Sequence, residues 1–359
     1  MKKRNSIIIL ILLVGAITFI FYYQSHLAKL KNNSAPMANF ISRDEFNALD
    51  YVKQSEYIKS ISISDPKSAW EYLKSNFIID GQVVGNVHEF AHLIGNVAFE
   101  KYGFDGVKIC DPSFAFGCFH GVTEKMLLTN GLSGIMQIEE GCLSAFPREL
   151  TQDYQGCIHG IGHGVYSFDK ENLEQSLKDC DAVSEPNSQF CYDGVFMENA
   201  QSLQERSQGE SNIQTFDKKN PWKFCTDLDV RYHLNCARYR SQTFLQNSFL
   251  DNVSPYKEAG KYCAAGPSIL LRTTCFESLG YYIAEGTLGQ PDTILQNCNE
   301  IESQQGKEIC IIGGATESVF QRYAGYNDTI TTLCGTLSEV KKVECETQTR
   351  SHINKTFED

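Results

Sequence analysis

Along most of this chain, apolar residues return every three or four positions, the spacing of one helical face, and no stretch alternates apolar and polar as a half-buried strand does. Asp65-Pro66 reads as a helix start, an N-cap followed by proline at the first helical position. The apolar face behind it carries Trp70, Leu73 and Phe77. The run from Val83 to Tyr102 keeps helical spacing and stops at Gly103, so the pattern predicts a helix over 83–102. From there one unit recurs seven times. A short helix ends near a first cysteine, a polar loop follows, and a longer helix begins near a second, as in Leu173 to Cys180 and then Cys191 to Ala200.

The second cysteines fall at 118, 157, 191, 236, 275, 310 and 345, a period of 34 to 45 residues, within the range of helical-repeat arrays. The expected fold is all-α: a disulfide-stapled array of helical hairpins, an α-solenoid, over 46–359 and behind an N-terminal membrane anchor. Each hairpin buries surface against its neighbours, so length does not limit such an array. The layout resembles disulfide-stapled Sel1-like and tetratricopeptide arrays in architecture.

All 14 cysteines sort by spacing into seven pairs: Cys110-Cys118, Cys142-Cys157, Cys180-Cys191, Cys225-Cys236, Cys263-Cys275, Cys298-Cys310 and Cys334-Cys345. Bridges of this kind belong to an oxidising compartment. The N-terminus agrees. Lys2, Lys3 and Arg4 precede a charge-free stretch from Ile7 to Tyr23, about 17 residues and the short end of a membrane span. The basic flank puts residues 1–6 in the cytoplasm, 7–23 in the membrane as a signal-anchor, and 24–45 outside as a polar tether. A cleaved signal peptide is the competing reading, in which the protein is secreted, but the stretch ends Phe-Tyr-Tyr-Gln-Ser-His without a small-residue cleavage site. A net charge of −12 argues against nucleic acid as a partner.

Candidate chemistry appears when the units are aligned on their second cysteine. Positions two and six residues further on hold His120 and Glu124 in the first unit, His159 and His163 in the next, then Asp193 and Met197. A cysteine-free unit upstream places His88, Glu89 and His92 in the same register. Residues four apart share a helix face, roughly 6 Å from each other. Equivalent positions of stacked hairpins line one surface. The expected metal ligands are therefore His88, His92, His120, His159, His163 and Asp193, within 83–200, with Glu89 and Glu124 as proton acceptors. Such a donor set suits a divalent transition metal, zinc first, with iron or manganese as alternatives. The competing reading of these histidines is a set of buried polar residues hydrogen-bonding between helices. Gly121, Gly160 and Gly194, next to the ligand row, suggest close helix approach or room for a bound molecule.

His88-Glu89-Phe90-Ala91-His92 resembles the HExxH motif of zinc metalloproteases, which implies zinc on the two histidines and Glu89 as general base. The longer metzincin motif is matched at Gly95, while Ala98 stands where its third histidine falls. The site is also similar in logic to deoxyhypusine hydroxylase, a helical-repeat enzyme that holds two irons with His-Glu dipeptides. Here His88-Glu89 is such a dipeptide, and the later slots read His-Gly. The functional expectation is a membrane-anchored, extracytoplasmic, metal-dependent hydrolase. The alternatives are a non-catalytic scaffold taking a peptide or protein on its concave face, and a di-metal oxidoreductase or hydroxylase.

Overall fold

The computed structural model describes residues 40–79, 82–85, 87–146, 152–209, 217–249 and 254–357. The chain falls into two units, Met1–Leu49 and Asp50–Asp359. In the first, helix α1 (Arg43–Asn47) starts with a capping box. The Ser42 hydroxyl accepts from the Glu45 amide, and the Glu45 carboxylate accepts from the Ser42 amide. The expected anchor at 7–23 lies outside the described residues. Among those described, no helix is long and apolar enough to cross a membrane.

The second unit opens with α2 (Tyr51–Ser64) and α3 (Pro66–Phe77). The Asp65 carboxylate caps α3 by accepting from the Ser68 amide, and Trp70, Leu73 and Phe77 are buried on one face. A short antiparallel pair follows, β1 (Ile78–Ile79) against β2 (Gln82–Val83). It changes the start of the next helix. Val83 is paired with Ile78 and Gly85 has φ +88°, so α4 runs only from His88 to Tyr102. Gly103, at φ +61°, ends it in a conformation that side chains rarely adopt.

The remaining helices are α5 (Gly117–Asn130), α6 (Gly134–Ala145), α7 (Gln152–Phe168), α8 (Leu173–Cys180), α9 (Ser188–Gly209), α10 (Lys223–Thr226), α11 (His233–Phe249), α12 (Pro255–Ala264), α13 (Ile269–Gly286), α14 (Pro291–Asn299), α15 (Gln304–Phe320), α16 (Tyr326–Gly335) and α17 (Glu339–Phe357). Apart from the β1–β2 pair, the regular structure of the described residues is helical.

Seven disulfides join Cys110 to Cys118, Cys142 to Cys157, Cys180 to Cys191, Cys225 to Cys236, Cys263 to Cys275, Cys298 to Cys310 and Cys334 to Cys345, and no cysteine is free. The last six tie a short helix to the long helix that follows it, and the first ties the end of the 3-10 segment Gly103–Ile109 to α5. Seven bridges suit an extracytoplasmic protein.

Long helices pack on long helices in chain order: α4 on α5, α5 on α7, α7 on α9, and so on to α15 on α17. The buried residues between them include Phe119, Ile158, Phe196 and Phe244. A further contact joins helices far apart in the chain. The Gln152 side-chain amide, at the start of α7, donates to the Phe320 carbonyl at the end of α15 (3.2 Å), and the Phe320 ring lies 6.0 Å from that of Phe116.

Candidate metal centre

Three adjacent helices carry the histidines: α4 (His88, His92), α5 (His120) and α7 (His159, His163). On α4 and α5, Gly95 and Gly121 face each other where the helices pack. A Cβ on Gly121 would stand 2.1 Å from the His92 carbonyl oxygen, and one on Gly95 would stand 2.2 Å from that of Cys118. Both distances are far inside van der Waals contact, so neither position tolerates a side chain as the helices stand. The helix-forming cost of glycine, about 1 kcal/mol each, is offset by the approach it allows. That approach brings the imidazoles of α4 and α5 within reach of one another.

The ring nitrogens converge at short range. His92 Nε2 lies 3.0 Å from His88 Nε2 and 3.2 Å from His120 Nδ1, and His163 Nε2 lies 2.9 Å from His159 Nε2. Two nitrogens each about 2.0–2.1 Å from one ion are roughly 2.8–3.4 Å apart at octahedral to tetrahedral angles. The observed separations fit that range. They form two triads with ligand atoms all within 4.8 Å of one another, His88-His92-His120 and His120-His159-His163, and His120 belongs to both.

Outer partners orient the rings. His88 Nδ1 is 2.8 Å from the Phe114 carbonyl oxygen, so it must be the N–H that donates, which leaves Nε2 a lone pair facing His92. His163 Nδ1 donates to the Glu198 carboxylate, which leaves its Nε2 facing His159. His92 Nδ1 is 3.7 Å from Glu124 Oε2, and the other oxygen of Glu124 accepts from the Ser167 hydroxyl. Carboxylate or carbonyl behind an imidazole is the arrangement that fixes tautomer and direction in metal sites.

Protonation agrees. Burial pushes His159 and His163 down to about 3 and His88 to about 4, and neighbouring imidazoles add to the effect. His120, fully buried, is held well below its ordinary value by burial and by the rings of His163 and His92. These four rings are therefore neutral near pH 7 and keep a lone pair for a metal. Burial acts oppositely on Glu198, raising its carboxyl, while the nearby histidines pull it back down.

A proton on Nε2 of His92 and of His159 meets the same short contacts as a hydrogen-bonded chain of imidazoles. What that chain leaves over is His120 Nε2, which is buried and has no hydrogen-bond partner. An unpaired buried polar atom costs about 1–3 kcal/mol, which a bound ion at that nitrogen removes.

Two expected residues stand elsewhere. Glu89 is exposed on α4, because one residue along a helix turns the side chain about 100° from that of His88. The Asp193 carboxylate accepts from the Asn235 side chain (2.7 Å) and from the Arg238 guanidinium, and it lies beside the triads rather than within either. Arg238 stands two residues past Cys236 as Asp193 stands two past Cys191, so the same sequence position on the next long helix supplies the counter-ion. Conversely, the aligned slots do not reach Glu198, which lies seven residues past Cys191 and one position beyond them.

Glu277, Tyr281 and Glu317 lie within electrostatic reach of Arg238. Glu317 accepts from Gln321 (2.8 Å), and burial pushes its carboxyl up to about 8.

No protein-family model, no curated protein and no solved structure matches this chain.

Proposed function

We propose that the protein is a membrane-anchored, extracytoplasmic metal-dependent hydrolase whose helical-repeat array holds divalent transition metal on α4, α5 and α7. The observation that carries this reading is the convergence of imidazole nitrogens at chelate spacing, with Nδ1 tied from behind on His88 and His163. His88, His92, His120, His159 and His163 hold the metal. Zinc fits an all-imidazole set with neighbouring carboxylates, and iron or manganese are the alternatives. Bound there, the metal supplies Lewis-acid activation of water at neutral pH.

The chain's own residues do the rest. Glu124, part-exposed and beside His92, is the group placed to take a proton, and Ser167 holds one of its oxygens. Glu198 keeps His163 in the tautomer that presents Nε2. Glu89 faces away, so the base is assigned to Glu124 and the HExxH resemblance ends at its two histidines. Asp193 serves Arg238.

Elemental analysis of the full-length protein, purified without chelator, tests the metal. Stoichiometric transition metal is expected in the wild type, with loss in the His88→Ala/His159→Ala double variant. Unchanged metal in that variant overturns the reading. Activity of the metal-loaded protein on ester, amide and phosphoester probes, abolished in Glu124→Gln with metal retained, tests hydrolysis. The burial of His120 and His163 favours a second reading, a scaffold with a structural metal. It is supported if the bound metal carries no exchangeable water.

A further inference from the structure

We propose that His120 is a bridging ligand that holds two metal ions at once, one through each ring nitrogen, so that the centre is dinuclear and imidazolate-linked. The inference rests on the metal-binding reading and goes beyond it. Two three-histidine sets are present, and His120 is the member they share. Its Nδ1 faces the first set, 3.2 Å from His92 Nε2. Its Nε2 is fully buried, without a hydrogen-bond partner, on a ring stacked 3.7 Å from that of His163 in the second set. The two nitrogens of an imidazole point away from each other, so one ion cannot take both.

The flanking helices repeat the arrangement on either side. Each offers a pair of histidines four residues apart whose Nε2 atoms approach to 3.0 Å (His88, His92) or 2.9 Å (His159, His163). Each set has its own carboxylate, Glu124 beside His92 and Glu198 behind His163. The central helix gives Glu124 where its neighbours give a second histidine, so α5 supplies one imidazole to both sets and completes neither alone. When both ions are bound, the second takes the place of the remaining ring N–H proton, which leaves to solvent.

Loading the full-length protein with copper(II), counting ions per chain and recording the paramagnetic resonance signal tests this. Two ions per chain are expected, with a signal much weaker than two isolated ions give, because the bridge couples their spins. His88→Ala and His159→Ala should each hold one ion and recover a full single-ion signal. His120→Gln should lose the coupling and bind both ions at least 10-fold more weakly. One ion per chain in the wild type overturns the bridge and leaves the metal reading standing. Two ions with full uncoupled signal also overturn it, as does unchanged affinity in His120→Gln. No bound ion overturns both. The two alanine variants keep the test decisive if His120→Gln fails to fold, which circular dichroism detects.

Discussion

The Nδ1–H of His163, on α7, donates to the carboxylate of Glu198, on α9, so a residue outside the triads sets the direction of an imidazole within one. Glu198→Gln keeps the size and an acceptor oxygen but removes the charge. Metal affinity should fall about 10- to 100-fold, the usual effect of losing such an orienting carboxylate. Competition against a chromogenic chelator reads this directly. An unchanged constant would show that His163 needs no support from α9.

Asp193 and Arg238 form a largely buried ion pair, and Asn235 donates to the same carboxylate. Asp193→Ala leaves the guanidinium without its partner. Full burial of such a charge costs about 3–5 kcal/mol. Arg238 keeps about 35% of its side chain exposed, so solvent reduces the expected loss to roughly 1–3 kcal/mol. Metal stoichiometry should stay at the wild-type level. Denaturant unfolding and elemental analysis together decide, and loss of metal at preserved stability would return Asp193 to the ligand set.

The histidine slots were legible because a helix repeats its face every 3.6 residues and successive long helices pack on one another. His88, His92, His120, His159 and His163 therefore share one region although they span much of the first half of the chain. Register says where a Cα–Cβ bond starts and not which neighbour its side chain meets. Asp193 sits in the same slot as the histidines, and its carboxylate meets Arg238 on the next long helix. Glu198 lies a residue past the slot, where only the packing of α9 on α7 reveals it. α4 begins five residues later than its apolar spacing predicts, because Val83 is apolar in either a helix or a two-residue strand and Gly85 breaks the run.

Acid should destabilise the metal-free protein. The depressed values of His88, His120, His159 and His163 mean that the unfolded chain binds their protons first, near pH 6.5. The stability tied to these neutral rings is complete above pH 6.5. It is lost as pH falls toward about 4 for His88 and about 3 for His159 and His163. Urea midpoints of chelator-treated protein at pH 7, 6 and 5 should decline. The decline should be shallower in His159→Ala, and equal slopes would contradict the burial of that ring as a neutral group.

Glu317 gives the opposite sign. Its carboxyl is raised from 4.5 to about 8 by burial, so the folded state holds a proton that the unfolded chain releases. This contribution is complete below pH 4.5 and is lost as pH rises through about 8. Glu317→Gln should flatten the fall of the stability profile between about pH 5 and 8. A profile unchanged by the substitution would mean that Glu317 is already ionised in the fold.

Gly121→Ala introduces a methyl where the His92 carbonyl oxygen already stands. Forced separation of tightly packed elements costs about 1–3 kcal/mol. It should also widen the gap between His92 and His120 and weaken metal binding. Retained affinity with lowered stability would separate helix packing from ligand placement.

Cys118 and Cys157 each lie two residues before a ligand, His120 and His159, and each is bridged to the segment that precedes its helix. A chain still in its reduced form lacks the clamps at the root of both helices. On the metal-binding reading proposed above, oxidation therefore comes before metal capture, and the ion is drawn from the supply outside the cytoplasm.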